Sequence, residues 1–122
     1  MQQFNYKGFL SYEGSDYADF SQHYSFSADD YDDDDKESAK AASQGVFGVS
    51  WSTLDSEIIA QTITGLISRA MSYRKQPQNS ERNAIESALR IVNVAIFFKV
   101  APDERKQFFY QSDRVTQAIA EE

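Results

Sequence analysis

Cysteine is absent from the 122 residues, histidine occurs once and proline twice. Without thiols the chain can form no disulfide, no thiolate zinc site and no cysteine nucleophile, and a cytoplasmic protein is the natural expectation. One histidine, His23, does not make a structural zinc site on its own. No apolar run reaches the ~18 to 20 residues that a membrane-crossing helix needs. The opening MQQFNYKGF lacks a basic stretch followed by an apolar one, so no secretory signal is expected. Neither G-x-G-x-x-G nor G-x-x-x-x-G-K-[ST] occurs, which leaves nucleotide binding without a motif and implies no cofactor. No internal repeat is present. A basic excess is missing too, and the formal net charge is −7.

That charge is unevenly placed. Residues 1–45 carry ten acids against three lysines, whereas residues 46–122 carry nine acids and nine basic residues. The whole net charge therefore belongs to the first third of the chain, a statement about solubility and partners rather than fold. Its densest part is residues 29–36, DDYDDDDK, with six carboxylates in eight positions. Direct binding of nucleic acid through that face is disfavoured, because phosphates would meet carboxylates.

At this length one α+β domain spanning 1–122 is expected, with a single core. Residues 1–51 read as an acidic, aromatic-rich β part containing an acidic loop at 29–45. In 4–12 the residues Phe4, Tyr6, Gly8, Leu10 and Tyr12 alternate with polar neighbours, with Phe9 out of step, and 20–28 alternates likewise. Such period-two patterns predict half-buried strands. With turn residues at 13–16 between them and a third short strand at 46–51, they predict a small, mostly antiparallel sheet. A short helix over 34–44 is predicted between strands two and three, with an aspartate as N-cap and Gly45 at its end.

Residues 52–122 predict three helices packed on that sheet or on each other. Leu54, Ile58, Thr62, Leu66 and Ala70 share one face, with cations near the far end and Pro77 barring continuation. Ile85, Leu89, Val92 and Ile96 mark a second helix. Its 91–98 half is apolar almost all round and rich in β-branched residues, so a strand is the competing reading there. Pro102 and the acids behind it open a third helix that carries Phe108, Phe109, Val115 and Ile119.

Catalytic and metal-binding arrangements are weak. An EF-hand loop needs glycine at its sixth position and glutamate at its twelfth. Counting from Asp30 these are Asp35 and Ala41, and counting from Asp32 the twelfth is Ser43, so no metal site is assigned. The stretch Gly48-Val49-Ser50-Trp51-Ser52 lacks the second glycine of a nucleophile elbow, and His23 would be the one available base. No catalytic residue is assigned, and a non-enzymatic protein is expected. Arg69, Arg74, Lys75 and Arg82 form a basic cluster best read as dipole complement and solvation, and Glu86 and Arg90 stand as an i,i+4 pair.

Residues 30–36 resemble the engineered epitope tag DYKDDDDK without its first lysine, and Asp32 to Lys36 match an enteropeptidase cleavage site. Their place inside a patterned segment favours native sequence.

The candidate partner-binding residues are Glu13, Asp16, Tyr17, Asp19, Asp29, Asp30, Tyr31, Asp32, Asp33, Asp34 and Asp35. If 29–35 were extended, alternate carboxylates would project about 6.7 Å apart, close to two ~3.4 Å axial steps along a DNA strand. Tyr17 and Tyr31 would supply the aromatic anchors that protein interfaces favour. The expected function is that of an acidic binding protein, an inhibitor that imitates nucleic-acid charge and occupies a basic site on a nucleic-acid-binding partner. In size, charge and lack of catalytic motifs the chain is similar to small acidic DNA-mimic, anti-restriction and anti-CRISPR proteins of phages and mobile elements. No motif matches theirs residue by residue. The alternative is a homo-oligomer or complex subunit that uses its apolar helices, with the acidic loop serving solubility. No membrane partner is expected.

Overall fold

The computed structural model describes residues 4–11, 31–75 and 79–120, and all regular structure among them is helical. The helices are α1 (Tyr6–Ser11), α2 (Asp33–Phe47), α3 (Ser56–Lys75), α4 (Asn79–Lys99) and α5 (Arg105–Ala120). The expected α+β class, with an antiparallel sheet over the first third, is therefore corrected: no strand occurs among the described residues. The span 20–28 lies outside them.

Local chemistry explains the correction at 4–12. Asn5 accepts a hydrogen bond from the Gly8 backbone N–H on its Oδ1 at 2.9 Å, an N-cap contact, and its carbonyl accepts from Phe9 N–H at 3.0 Å. Tyr6, Phe9 and Leu10 stand at i, i+3 and i+4, so they share a helical face. Phe9, the residue that broke the alternation, is the one buried most deeply among the described side chains of α1. Six residues do not hold a helix alone. Packing does, because the Phe9 ring meets the Phe108 ring edge-on at 4.9 Å and Tyr6 lies 6.3 Å from it. The Tyr6 hydroxyl donates to Glu104 Oε1 at 3.0 Å, and partial burial followed by that contact raises its pKa.

The expected strand at 46–51 is the end of α2 followed by a turn. The helix runs past Gly45 and stops at Gly48, whose backbone at φ 79° is left-handed and whose N–H donates to the Gln44 carbonyl. Ser43 Oγ donates to the Val49 carbonyl at 2.9 Å and ties the exit down. Only glycine holds this conformation cheaply, so Gly48→Ala is expected to cost about 1–2 kcal/mol. Gly65, in the middle of α3, shows open space where a side chain would begin, and Gly65→Ala is expected to gain about 0.5–1 kcal/mol. Urea titration of both variants checks the pair: the unfolding midpoint should fall for the first and rise for the second.

α3, α4 and α5 pack against one another, α2 lies mainly on α4, and α1 closes the side formed by α3 and α5. Asp55 caps α3 by accepting from Ile58 N–H at 3.0 Å. The apolar 91–98 stretch is helical. Val92, Ala95 and Ile96 are fully buried there, and Val94 nearly so, because α4 is covered by α2, α3 and α5 together. A helix packed on several sides needs apolar residues around most of its surface, which removes the reason to read a strand. The core also holds polar groups, all of them partnered among the described residues. Gln111 is the central one: its amide donates to the Phe9 carbonyl at 3.1 Å while its Oε1 accepts from Arg114 at 2.7 Å.

Candidate functional site

The described part of the acidic run, Tyr31 to Asp35, builds the start of α2. Asp32 is the N-cap, in extended backbone, and its Oδ1 accepts from Asp35 N–H at 2.9 Å. Asp35 answers with Oδ2, accepting from Asp32 N–H at 3.1 Å, so the two carboxylates form a reciprocal capping box. Asp33 and Asp34 fill the rest of the first turn and are exposed. All four acids lie where free N–H groups and the positive end of the helix dipole favour negative charge. Asp32 and Asp35 are thus engaged in capping, although Asp32 is exposed, and Asp33 and Asp34 are exposed without a part in the capping box. Asp32→Ala should cost about 0.5–2 kcal/mol, and Asp32→Asn much less because asparagine also caps. Far-UV circular dichroism during urea unfolding distinguishes the two.

What fixes this end of α2 is an aromatic and cationic cluster at the end of α4. Tyr31 meets Phe97 edge-on at 5.5 Å, and Phe97 meets Phe98 at 5.0 Å. Lys36 lies 5.6 Å over the Phe98 ring and Arg105 5.0 Å over the Phe97 ring. Lys36 is thereby directed toward an aromatic face, and Lys40 pairs with Glu37 at 3.6 Å. The nearby lysines have defined neighbours other than Asp33 and Asp34. The field of those two carboxylates is projected outward by a rigid helix start.

The candidate residues separate into two groups. Tyr31 and Asp32 to Asp35 are brought together at one helix end, whereas Glu13, Asp16, Tyr17, Asp19, Asp29 and Asp30 lie outside the described residues. The extended spacing envisaged for 29–35 does not describe Asp33 to Asp35. In a helix successive residues rise about 1.5 Å and turn about 100°, so these carboxylates fan out around the axis. Tyr31 is half-buried against Phe97 rather than standing clear. The residues that the sequence alone did not point to are Phe97, Phe98 and Arg105, which position the acidic end.

Elsewhere, Ser50 and Ser52 sit in the turn after α2. Their hydroxyls lie 3.2 Å apart, and Ser50 Oγ is 3.1 Å from Thr53 Oγ1, a turn-stabilising set with no base in it. His23 lies outside the described residues. Of the basic cluster, Arg69 and Arg82 are paired, the side chains of Arg74 and Lys75 lying outside the described set: Arg69 donates to Glu81 from Nε at 3.1 Å and Nη2 at 2.8 Å. Glu86 accepts from Arg82 Nε at 2.8 Å, so it pairs with Arg82 and not, as the spacing also allowed, with Arg90. Among the described residues no group of three or more histidine, aspartate or glutamate side chains is placed to hold a metal ion. No described helix is long and apolar enough to cross a membrane. No protein-family model, curated protein or solved structure matches the chain.

Proposed function

We propose that the chain is a non-enzymatic, cytoplasmic binding protein whose acidic amino-terminal third engages a basic partner. The partner it suits best is a nucleic-acid-binding protein whose phosphate site the carboxylates occupy as an inhibitor. The observation that carries this reading is the division of labour at residues 32–35. Asp32 and Asp35 are engaged in a capping box, while Asp33 and Asp34 are exposed beside them on a first turn anchored through Tyr31 and Phe97. Residues 1–45 as a whole carry ten acids against three lysines, an excess that favours a basic partner. Charge held at a rigid helix start steers a basic partner at long range and weakens with added salt. The helical imitation differs from the extended one: the carboxylates present a cluster rather than a ladder matched to phosphate spacing.

The oligomer alternative drew on an apolar surplus in α4 and at 108–110. Phe108, Phe109 and Tyr110 are buried within the single chain, and Met71 is the large hydrophobic residue that stands exposed among those described. That surplus has a home without a second copy, so the acidic reading is preferred. Affinity capture from the native host tests it, using the wild type and Asp33→Asn/Asp34→Asn at low and high salt. The expected result is a basic protein retained by the wild type at low salt, and depleted both by salt and by the substitutions. Equal recovery in every condition would remove the proposal.

A further inference from the structure

A second surface is the recess of about 360 Å³ between α4 and α5, which Tyr31 borders from the start of α2. We infer that this recess binds a monocarboxylate bearing an aromatic or branched apolar body, either as a free acid or as the carboxyl terminus of a peptide. Its size falls within the roughly 300–1,000 Å³ of small-molecule sites. The floor is apolar, made by Leu89 and Ile119, which are both buried, with the Tyr31 ring at the edge.

Three side chains that can donate line the recess with it. Arg90 makes no hydrogen bond or ion pair with another described residue, since Glu86 is taken by Arg82. Asn93 accepts from the Ser112 hydroxyl on its Oδ1, and this fixes which end of the amide remains for the recess: the NH₂ donor. Thr116 adds a hydroxyl. A guanidinium beside an amide donor suits a planar carboxylate, which can take two parallel N–H bonds. The charge balance selects a monoanion. Among the described lining residues Arg82, Glu86 and Arg90 together leave one positive charge, which suits a monoanion better than a phosphate dianion. The donors Arg90, Asn93 and Thr116 lie on α4 and α5, so the inference shares only Tyr31 with the acidic face.

Nuclear magnetic resonance titration of the full chain tests it with matched probes. Phenylacetate and phenylethylamine share an aromatic body and differ in charge sign. Phenylacetate should shift the Asn93 side-chain amide and the Thr116 resonances saturably, and the amine should not. Arg90→Gln should weaken phenylacetate by about tenfold or more, with Arg90→Lys in between, because the fork is lost and the charge kept. Arg90 is exposed, so these variants keep the fold, which the rest of the spectrum verifies. A short peptide ending in phenylalanine, with free or amidated carboxyl, separates the two sources: tighter binding of the free-carboxyl peptide than of phenylacetate assigns a chain terminus, and the reverse assigns a free acid. Equal binding of amine and acid, undiminished binding by Arg90→Gln, or inorganic phosphate competing as strongly as phenylacetate would each overturn the inference.

Discussion

Phe108→Ala should destabilise the fold by about 3–5 kcal/mol, the cost of removing a fully buried aromatic side chain. Phe108 sits on α5 and receives the Phe9 edge at 4.9 Å, with Tyr6 at 6.3 Å, so truncation opens a cavity and removes the surface on which α1 rests. A six-residue helix has no stability of its own, and α1 should detach before the remaining helices unfold. Phe9→Ala removes the partner ring and should show part of the same loss. The double variant then measures the ring–ring contribution, expected at about 0.5–1.5 kcal/mol beyond area burial. Urea unfolding read by fluorescence and circular dichroism provides all four corners of the cycle. A loss below about 1 kcal/mol for Phe108→Ala would mean that α1 does not pack there.

The second large effect is on association. Asp33→Asn/Asp34→Asn should lower affinity for the basic partner by about tenfold or more at low ionic strength, with the difference shrinking as salt rises. Stability should change far less. Losing two acids from a helix start costs about 0.3–1 kcal/mol each, partly offset by relief of repulsion among Asp32 to Asp35. Because the capping box uses Asp32 and Asp35, its geometry survives the double substitution. The variant therefore separates charge from fold, whereas Asp32→Ala would disturb both.

The helices α3, α4 and α5 were legible because long stripes at helical spacing came with firm punctuation: Pro77 between two helices, and a proline–acid pair before the last. The amino-terminal third misled for a physical reason. Over so short a span as 4–12 the same aromatic residues satisfy period two and, through Tyr6, Phe9 and Leu10, helical spacing. The deciding facts were the Asn5 cap and a distant ring on α5. At 46–51, Val46 and Phe47 end a helix that Gly48 rather than Gly45 terminates, Val49 and Trp51 follow it, and a left-handed glycine is not distinguishable from an ordinary one in sequence.

The site shows the same division. A capping aspartate was readable in DDYDDDDK, since helix starts require acceptors. Its reciprocal use of Asp32 and Asp35, and the fanning of Asp33 and Asp34, follow only once the helix is known to begin at Asp33. The contacts of Tyr31 with Phe97 and of Lys36 with Phe98 join segments far apart in the chain, and no local pattern announces them. Arg90 was similarly hidden: two arginines flank Glu86 at equal spacing, and the structure pairs the earlier one.

The most direct test of the acidic surface is the salt dependence of affinity for the captured partner, measured side by side for the wild type and Asp33→Asn/Asp34→Asn. The account predicts a steep fall in wild-type affinity with rising salt, a shallower fall for the variant, and convergence of the two at high salt. Parallel lines of equal height would contradict it, because the partner would then be bound without reference to those carboxylates.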